Sequence, residues 1–334
     1  MATHFFGLTS RTYKHSHAVG RAEFAGTGFR NPTDMAIAPD GTVYICNRSY
    51  ENRPDGIHVT ALTLDEEYIT EFGAYGEADG EFMWPTAVAL DSKGNLYLAD
   101  EWLNRITKFT SDGEFVSKWG TSGSADGELK GPAGLAIDKD DNMFVVDAGN
   151  NRVQKFSLDG QFISNFGSFG TDDGQFNNPW GISLDSEGHI YIADWRNDRI
   201  QKFSPDGQWE ATIGSTGSGV GQLNRPNGLA VDADGDIYVA DWMNNRVQVF
   251  APDGRYITEF HGEAVLSKWG RDKLASNPDM IRQRNLAFAN DPDYEKGLAH
   301  PCGVRIDPQG RIVIIDHTRN RLQVYIKEGE PALV

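Results

Sequence analysis

The chain has 334 residues, a length that alone would accommodate about two domains. Acidic residues outnumber basic ones 48 to 31, for a net charge of −17; so negative a surface repels phosphate backbones and sets nucleic acid aside as a partner. With 37 glycines and 14 prolines the composition describes a turn-rich, all-β chain, and aliphatic runs such as Ile312–Ile315 are far too short to span a membrane.

The first residues, Met1–Phe6, lack the basic-then-apolar pattern of a secretory signal. The two cysteines, Cys46 and Cys302, cannot make a disulfide framework and suit a reducing compartment. A cytoplasmic protein is the expectation.

A repeat organises the chain. Leading prolines recur at positions 32, 85, 132, 179, 226 and 301, with a shared core spacing of 47 residues between 85 and 226. The third unit shows the plan: Gly134–Asp138, Met143–Asp147, Arg152–Phe156 and Gln161–Phe166 read as four successive strands with Asp, Asn and Gly at the turns. One such sheet cannot bury both faces, so six must stack around an axis. The prediction is a single domain over 1–334, a six-bladed β-propeller of four-stranded antiparallel blades.

Taken in order, Thr12–Val19 precedes the first unit, while the sixth unit stops after a third strand, Arg321–Tyr325. Thr12–Val19 is therefore expected to pair onto blade six as its outer strand and shut the ring. Blade one carries Asn47 where the others have Asp, and an insertion before Arg53. Ahead of blade six lies the long excursion 263–298, in which Ser276 or Asn277 would cap a helix holding Pro278 and Asp279 in its first turn. It leaves from the same end as the prolines, so a short helical lid over the channel mouth is predicted; an ornamental loop or a dimer contact is the alternative.

The pattern Pro-x-Gly, then Asp-x-x-Gly, Tyr-Val-Ala-Asp and Asn-Arg-Val-Gln resembles the NHL repeat, closely so at Asp147–Gln154 and Asp241–Gln248. The resemblance implies a six-bladed propeller but no one activity, since NHL propellers include enzymes, RNA binders and protein-interaction platforms. It brings to mind the peptidyl-hydroxyglycine amidating lyase, whose propeller holds zinc through histidines of separate blades. This chain has no histidine in its post-proline positions, so a three-histidine zinc site is unsupported. A divalent metal held by His300 and His317 with Asp34 or Glu101 stays open, without a ligand motif behind it. RNA binding would need a basic top, and Asp34 and Glu101 oppose the charge of Arg48, Arg196, Arg225 and Arg319. Glycine runs such as Gly214–Gly219 are the repeat's own loops, not phosphate cradles, because no helix follows.

Whatever recurs in every blade serves the blade. The pairs Asp100/Arg105, Asp147/Arg152, Asp194/Arg199, Asp241/Arg246 and Asp316/Arg321 are expected to brace the loops. Function belongs where the repeats differ, around the prolines and after the second strands. There Trp84, Trp102, Trp180, Trp195 and Trp242 gather at one end, either packing between blades or walling a pocket for a flat or cationic ligand. Asp34 stands where four blades have glycine, bonding either the ring-closing segment or a ligand. His300, His317, Asp34 and Glu101 are the candidate acid–base groups, and Trp84, Trp180, Trp195, Trp242, Arg48, Tyr50, Arg225 and Arg319 the candidate ligand contacts. Two readings stand: a small-molecule binder with lyase or hydrolase chemistry, or a non-catalytic peptide- or protein-binding platform. Oligomeric state is not legible.

Overall fold

The computed structural model describes residues 11–23, 26–49, 53–287 and 295–328. Six four-stranded antiparallel sheets follow one another along the chain. Blade one comprises Pro32–Ile37, Val43–Asn47, His58–Leu62 and Tyr68–Phe72, each strand pairing with the next. Blades two to five repeat this meander. The second strands, such as Leu96–Asp100, are wholly buried because neighbouring blades cover both faces.

Blade six consists of Pro301–Ile306, Arg311–Asp316 and Arg321–Glu328, completed by Thr12–Val19. The closing strand runs antiparallel to Arg321–Glu328, with Thr12 opposite Glu328 and Val19 opposite Leu322, and a bulge between His15 and His17. The predicted closure is therefore what the chain does, and it covers the edge that Arg321–Glu328 would otherwise expose.

The core lies between blades. One cluster joins Tyr44, Cys46 and Val59 of blade one to Val88, Leu96 and Phe109 of blade two. Each connecting loop also drops one apolar plug into such a seam: Phe29, Phe82, Leu129, Phe176 and Leu223 are all fully buried. Burying one such phenylalanine contributes about 1.5–3 kcal/mol. The glycine leading into the loop must stay small. A Cβ on Gly73 would lie 2.3 Å from Phe82, and its φ of +82° is in any case unfavourable for other residues.

The loop-bracing ion pairs form in four blades, with Arg Nε to Asp Oδ2 distances of 2.9, 2.9, 2.8 and 2.8 Å for Arg152, Arg199, Arg246 and Arg321. Blade two departs from the expected five. Its loop has Leu103 where blades three to five have an asparagine that donates to the Asp, and Asp100 accepts instead from the backbone N–H groups of Met83, Trp102 and Leu103. Arg105 instead donates to the carbonyls of Glu77, Ala78 and Glu81. In blade one the residue opposite Asn47 is His58, not Arg53; Asn47 Nδ2 reaches Thr60 Oγ1 at 3.0 Å.

A further joint links blades at the top. The N–H of Gly131 donates to Asn104 Oδ1, and Asn178, Arg225, His300 and Asn31 do the same to Asn151, Asp198, Asn245 and Asn320. Into blade two it is missing, since Trp84 N–H bonds to Asp100 of its own blade.

The excursion before blade six folds as two helices, α1 (Lys268–Ala275) and α2 (Pro278–Ala287). Ser267 caps α1, accepting from Gly270 N–H at 3.0 Å, and Asn277 Oδ1 accepts from Asp279 N–H at 3.1 Å at the start of α2. The sequence pattern anticipated the second helix and its cap but not the first. Trp269, only 6% exposed, enters the seam between blades six and one beside Phe29, Leu64 and Leu322. Its backbone N–H donates to Glu66 Oε2, and Glu66 Oε1 accepts from the backbone N–H of Gly20. The described part of the excursion thus braces the closure seam. The expected lid also involves residues 288–294, which lie outside the described residues.

Candidate ligand site at the top of the channel

The loops at the proline end surround a cavity of about 360 Å3 lined by Asn31, Thr33, Arg48, Ser49, Trp180, Trp195, Asn227, Trp242, Cys302 and His317. Its size falls in the range of small-molecule sites. None of the described residues of 263–298 lines it.

The aromatic wall is a run of tilted rings. Trp180 and Trp195 have centroids 6.5 Å apart, Trp195 and Trp242 6.2 Å, and Trp242 and His300 5.0 Å. Trp195 and Trp242 open the short helical turns that follow the second strands of blades four and five, which aims both indoles at the same mouth. Arg225 lies over Trp195, its guanidinium carbon 4.4 Å from the ring centroid, outside the lining.

His317 is the imidazole among the described lining residues. Its Nδ1 is 2.8 Å from the Pro32 carbonyl oxygen, and a carbonyl can only accept, so Nδ1 carries the proton and Nε2 holds the lone pair. Burial lowers its pKa below the ordinary histidine value; nearby His300 and Arg48 push the same way, and the Pro32 carbonyl opposes them. The imidazole is thereby kept neutral.

Arg48 also lines the cavity, bonded through Nη2 to Glu101 Oε1 at 2.5 Å and lying 4.9 Å from the Trp84 centroid. Glu101 fixes this guanidinium rather than lining the cavity. Trp84 faces a side cavity of about 150 Å3 shared with Arg48, Ser49, Ile57 and Tyr75, and stacks on Trp102, which is 55% exposed on the rim.

Asp34 sits lower in the channel. Its carboxylate accepts from Arg305 at 2.7 Å and from Val88 N–H at 3.1 Å, tying together blades six, one and two. Burial raises its pKa against the pull of Arg305. Blades one and two carry Asp34 and Ala87 at this position, whereas in blade four a Cβ on Gly181 would lie 2.2 Å from the Asn227 carbonyl oxygen. Asp34 is a clamp between blades, which corrects its candidacy as an acid–base group of the pocket. His300 flanks the wall with Nδ1 3.0 Å from Thr318 Oγ1. Arg319 lines a different cavity, of about 440 Å3, between the excursion and blade six. Tyr50 lies outside the described residues.

Of the candidates, the cavity itself gathers His317, Arg48, Trp180, Trp195 and Trp242. It adds Asn31, Thr33, Asn227 and Cys302, which occupy the same variable positions around the prolines, and Ser49, which carries no signal beyond its place in the blade-one insertion. Thr33 Oγ1 and Cys302 Sγ donate to the proline carbonyls of the following blades, Pro85 and Pro32, at 3.3 Å each. Burial pushes the Cys302 thiol well above its ordinary pKa, so it is no thiolate nucleophile. Among the described residues, the group spaced to hold a metal ion is Asp232, Asp234 and Asp236 at the far end of blade five. There the Lys327 ammonium sits 2.6, 2.6 and 2.8 Å from the three carboxylates.

Fold and site together define a six-bladed β-propeller with a ligand-sized hollow at its hub. Residues 176–203 and 223–250 match the NHL repeat, and residues 87–166 match a 6-bladed beta-propeller family; the chain is a propeller carrying NHL repeats. No curated protein matches it in sequence. Among solved structures it is similar to a catalytically inactive virginiamycin B lyase from Staphylococcus aureus with quinupristin, at 14% identity and a TM-score of 0.58, covering 97% of this chain and 90% of that one. A streptogramin B lyase gives 14% identity and a TM-score of 0.58 over 95% and 98% of the two chains. A Bacteroides thetaiotaomicron protein of unknown function gives 20% and 0.63 over 95% and 76%. At these identities the likeness is one of fold.

Proposed function

We propose that the hub pocket binds a small organic molecule and transforms it by lyase-type acid–base chemistry. The observation that carries this reading is His317, held in one tautomer by the Pro32 carbonyl and kept neutral by burial on the wall of the cavity. In an elimination, Nε2 takes a proton from the carbon next to a carbonyl group. The C–H electron pair becomes a carbon–carbon double bond, and the leaving group departs with its own bonding pair. Arg48, Asn31 and Asn227 line the same cavity and supply donors for the carbonyl oxygen, where negative charge develops. The lyases of similar fold support the reading by analogy. The concave shape favours a small ligand over a broad partner surface.

The test begins with native mass spectrometry of the purified protein for a retained metabolite, followed by a screen of esters and β-substituted acids related to it. His317→Gln should abolish turnover of the substrate found while leaving the circular dichroism spectrum and melting temperature near wild type. A fully active His317→Gln protein would remove the base and the reading with it.

A further inference from the structure

The lining of the hub pocket also bears on what enters it. Three indoles form its apolar wall, while Arg48, Asn31, Asn227 and Ser49 bring N–H and O–H donors. Arg48 is the one charged side chain among the described lining residues, although the chain carries 48 acidic residues. Its bond to Glu101 uses Nη2 and holds the guanidinium plane in place. Behind the wall, Arg225 already draws on the π electrons of Trp195, so a cationic ligand would meet like charge at two points. An anion meets a fork of donors at Arg48.

We propose that the ligand is a flat aromatic carboxylate, its ring against Trp180, Trp195 and Trp242 and its carboxylate toward Arg48. This deepens the reading of the cavity as a small-molecule site and rests on it. The indoles select a planar group by stacking, and the guanidinium selects the sign of its charge.

The test titrates the full-length protein with phenylacetate and with benzyltrimethylammonium by isothermal calorimetry. Phenylacetate is expected to bind at least about 10-fold more tightly, a difference of about 1.4 kcal/mol. Arg48→Gln should erase that preference, and Arg48→Lys should retain much of it, which separates lost charge from lost folding. Equal or tighter binding of the ammonium overturns the proposal, as does a preference that survives Arg48→Gln or an absence of saturable phenylacetate binding. Trp269→Ala, outside the pocket lining and run alongside, should keep phenylacetate affinity within about 3-fold of wild type, and calorimetry reads binding without any turnover. The ligand class and the reaction class can therefore fail separately.

Discussion

The backbone N–H of His300 donates to Asn245 Oδ1 at 2.8 Å, so a bulky side chain at the hub is held by the same joint that elsewhere holds glycine or asparagine. His300 has a φ of +53° and Arg225 of +56°, a left-handed conformation that costs most residues about 1 kcal/mol or more. Asparagine tolerates it better. His300→Asn is expected to raise stability by about 1 kcal/mol in urea denaturation, and an unchanged or lower midpoint would mean that the contacts with Trp242 and Thr318 outweigh the strain.

Ring closure rests on Thr12–Val19. Val19 is fully buried in the cluster that joins blades six and one. Val19→Ala should cost about 2 kcal/mol through lost burial and the cavity left behind. Deleting residues 1–19 should do far more, because Arg321–Glu328 becomes an exposed edge. A deletion protein that melts at the wild-type temperature would show that the closing strand is dispensable.

Trp269 separates a brace from a lid. Trp269→Ala should destabilise by about 3 kcal/mol, as expected for a large buried aromatic, yet leave affinity for a hub ligand unchanged once the protein is folded. Weakened ligand binding with intact stability would restore the excursion to the channel mouth.

The pH dependence follows from three histidines. His15, His58 and His317 all have pKa values lowered chiefly by burial. A group depressed in the folded state stays neutral there while the unfolded chain takes up its proton. The stability it contributes is present above about pH 6.5 and is lost as pH falls through the folded-state value. Urea midpoints should therefore drop between about pH 7 and pH 5, ahead of carboxylate titration. The acid limb of turnover should lie below the ordinary imidazole value, because Nε2 of His317 must be neutral to act. A midpoint flat across that interval would contradict the burial of these rings.

The frame was legible because it repeats: prolines at fixed spacing and the Asn-Arg-Val-Gln motif announced the blades and four of the five expected ion pairs. The exceptions turned on single substitutions. Leu103 stands where blades three to five have the asparagine that bonds the Asp, and Asp100 bonds backbone N–H groups instead; the insertion in blade one sets His58 opposite Asn47. The aromatic wall and His317 were found by asking where the units differ. The role of Asp34 was not, because whether a side chain at the axis points into a cavity or between two backbones depends on the separation of neighbouring blades, which no linear pattern encodes. The docking of Trp269 was not legible for a related reason. The second helix of the excursion could be read locally, but the partner of Trp269 is more than 200 residues away at Glu66 and Leu64.

The top joints bond through main-chain N–H groups, so positions 31, 131, 178, 225 and 300 can carry any residue that accepts the left-handed twist without loosening the wheel. Descendants of one ancestral ring could exchange their hub vocabulary one letter at a time. The rim of the pocket, and at Asn31 its lining, would then change by drift instead of by rebuilding the scaffold.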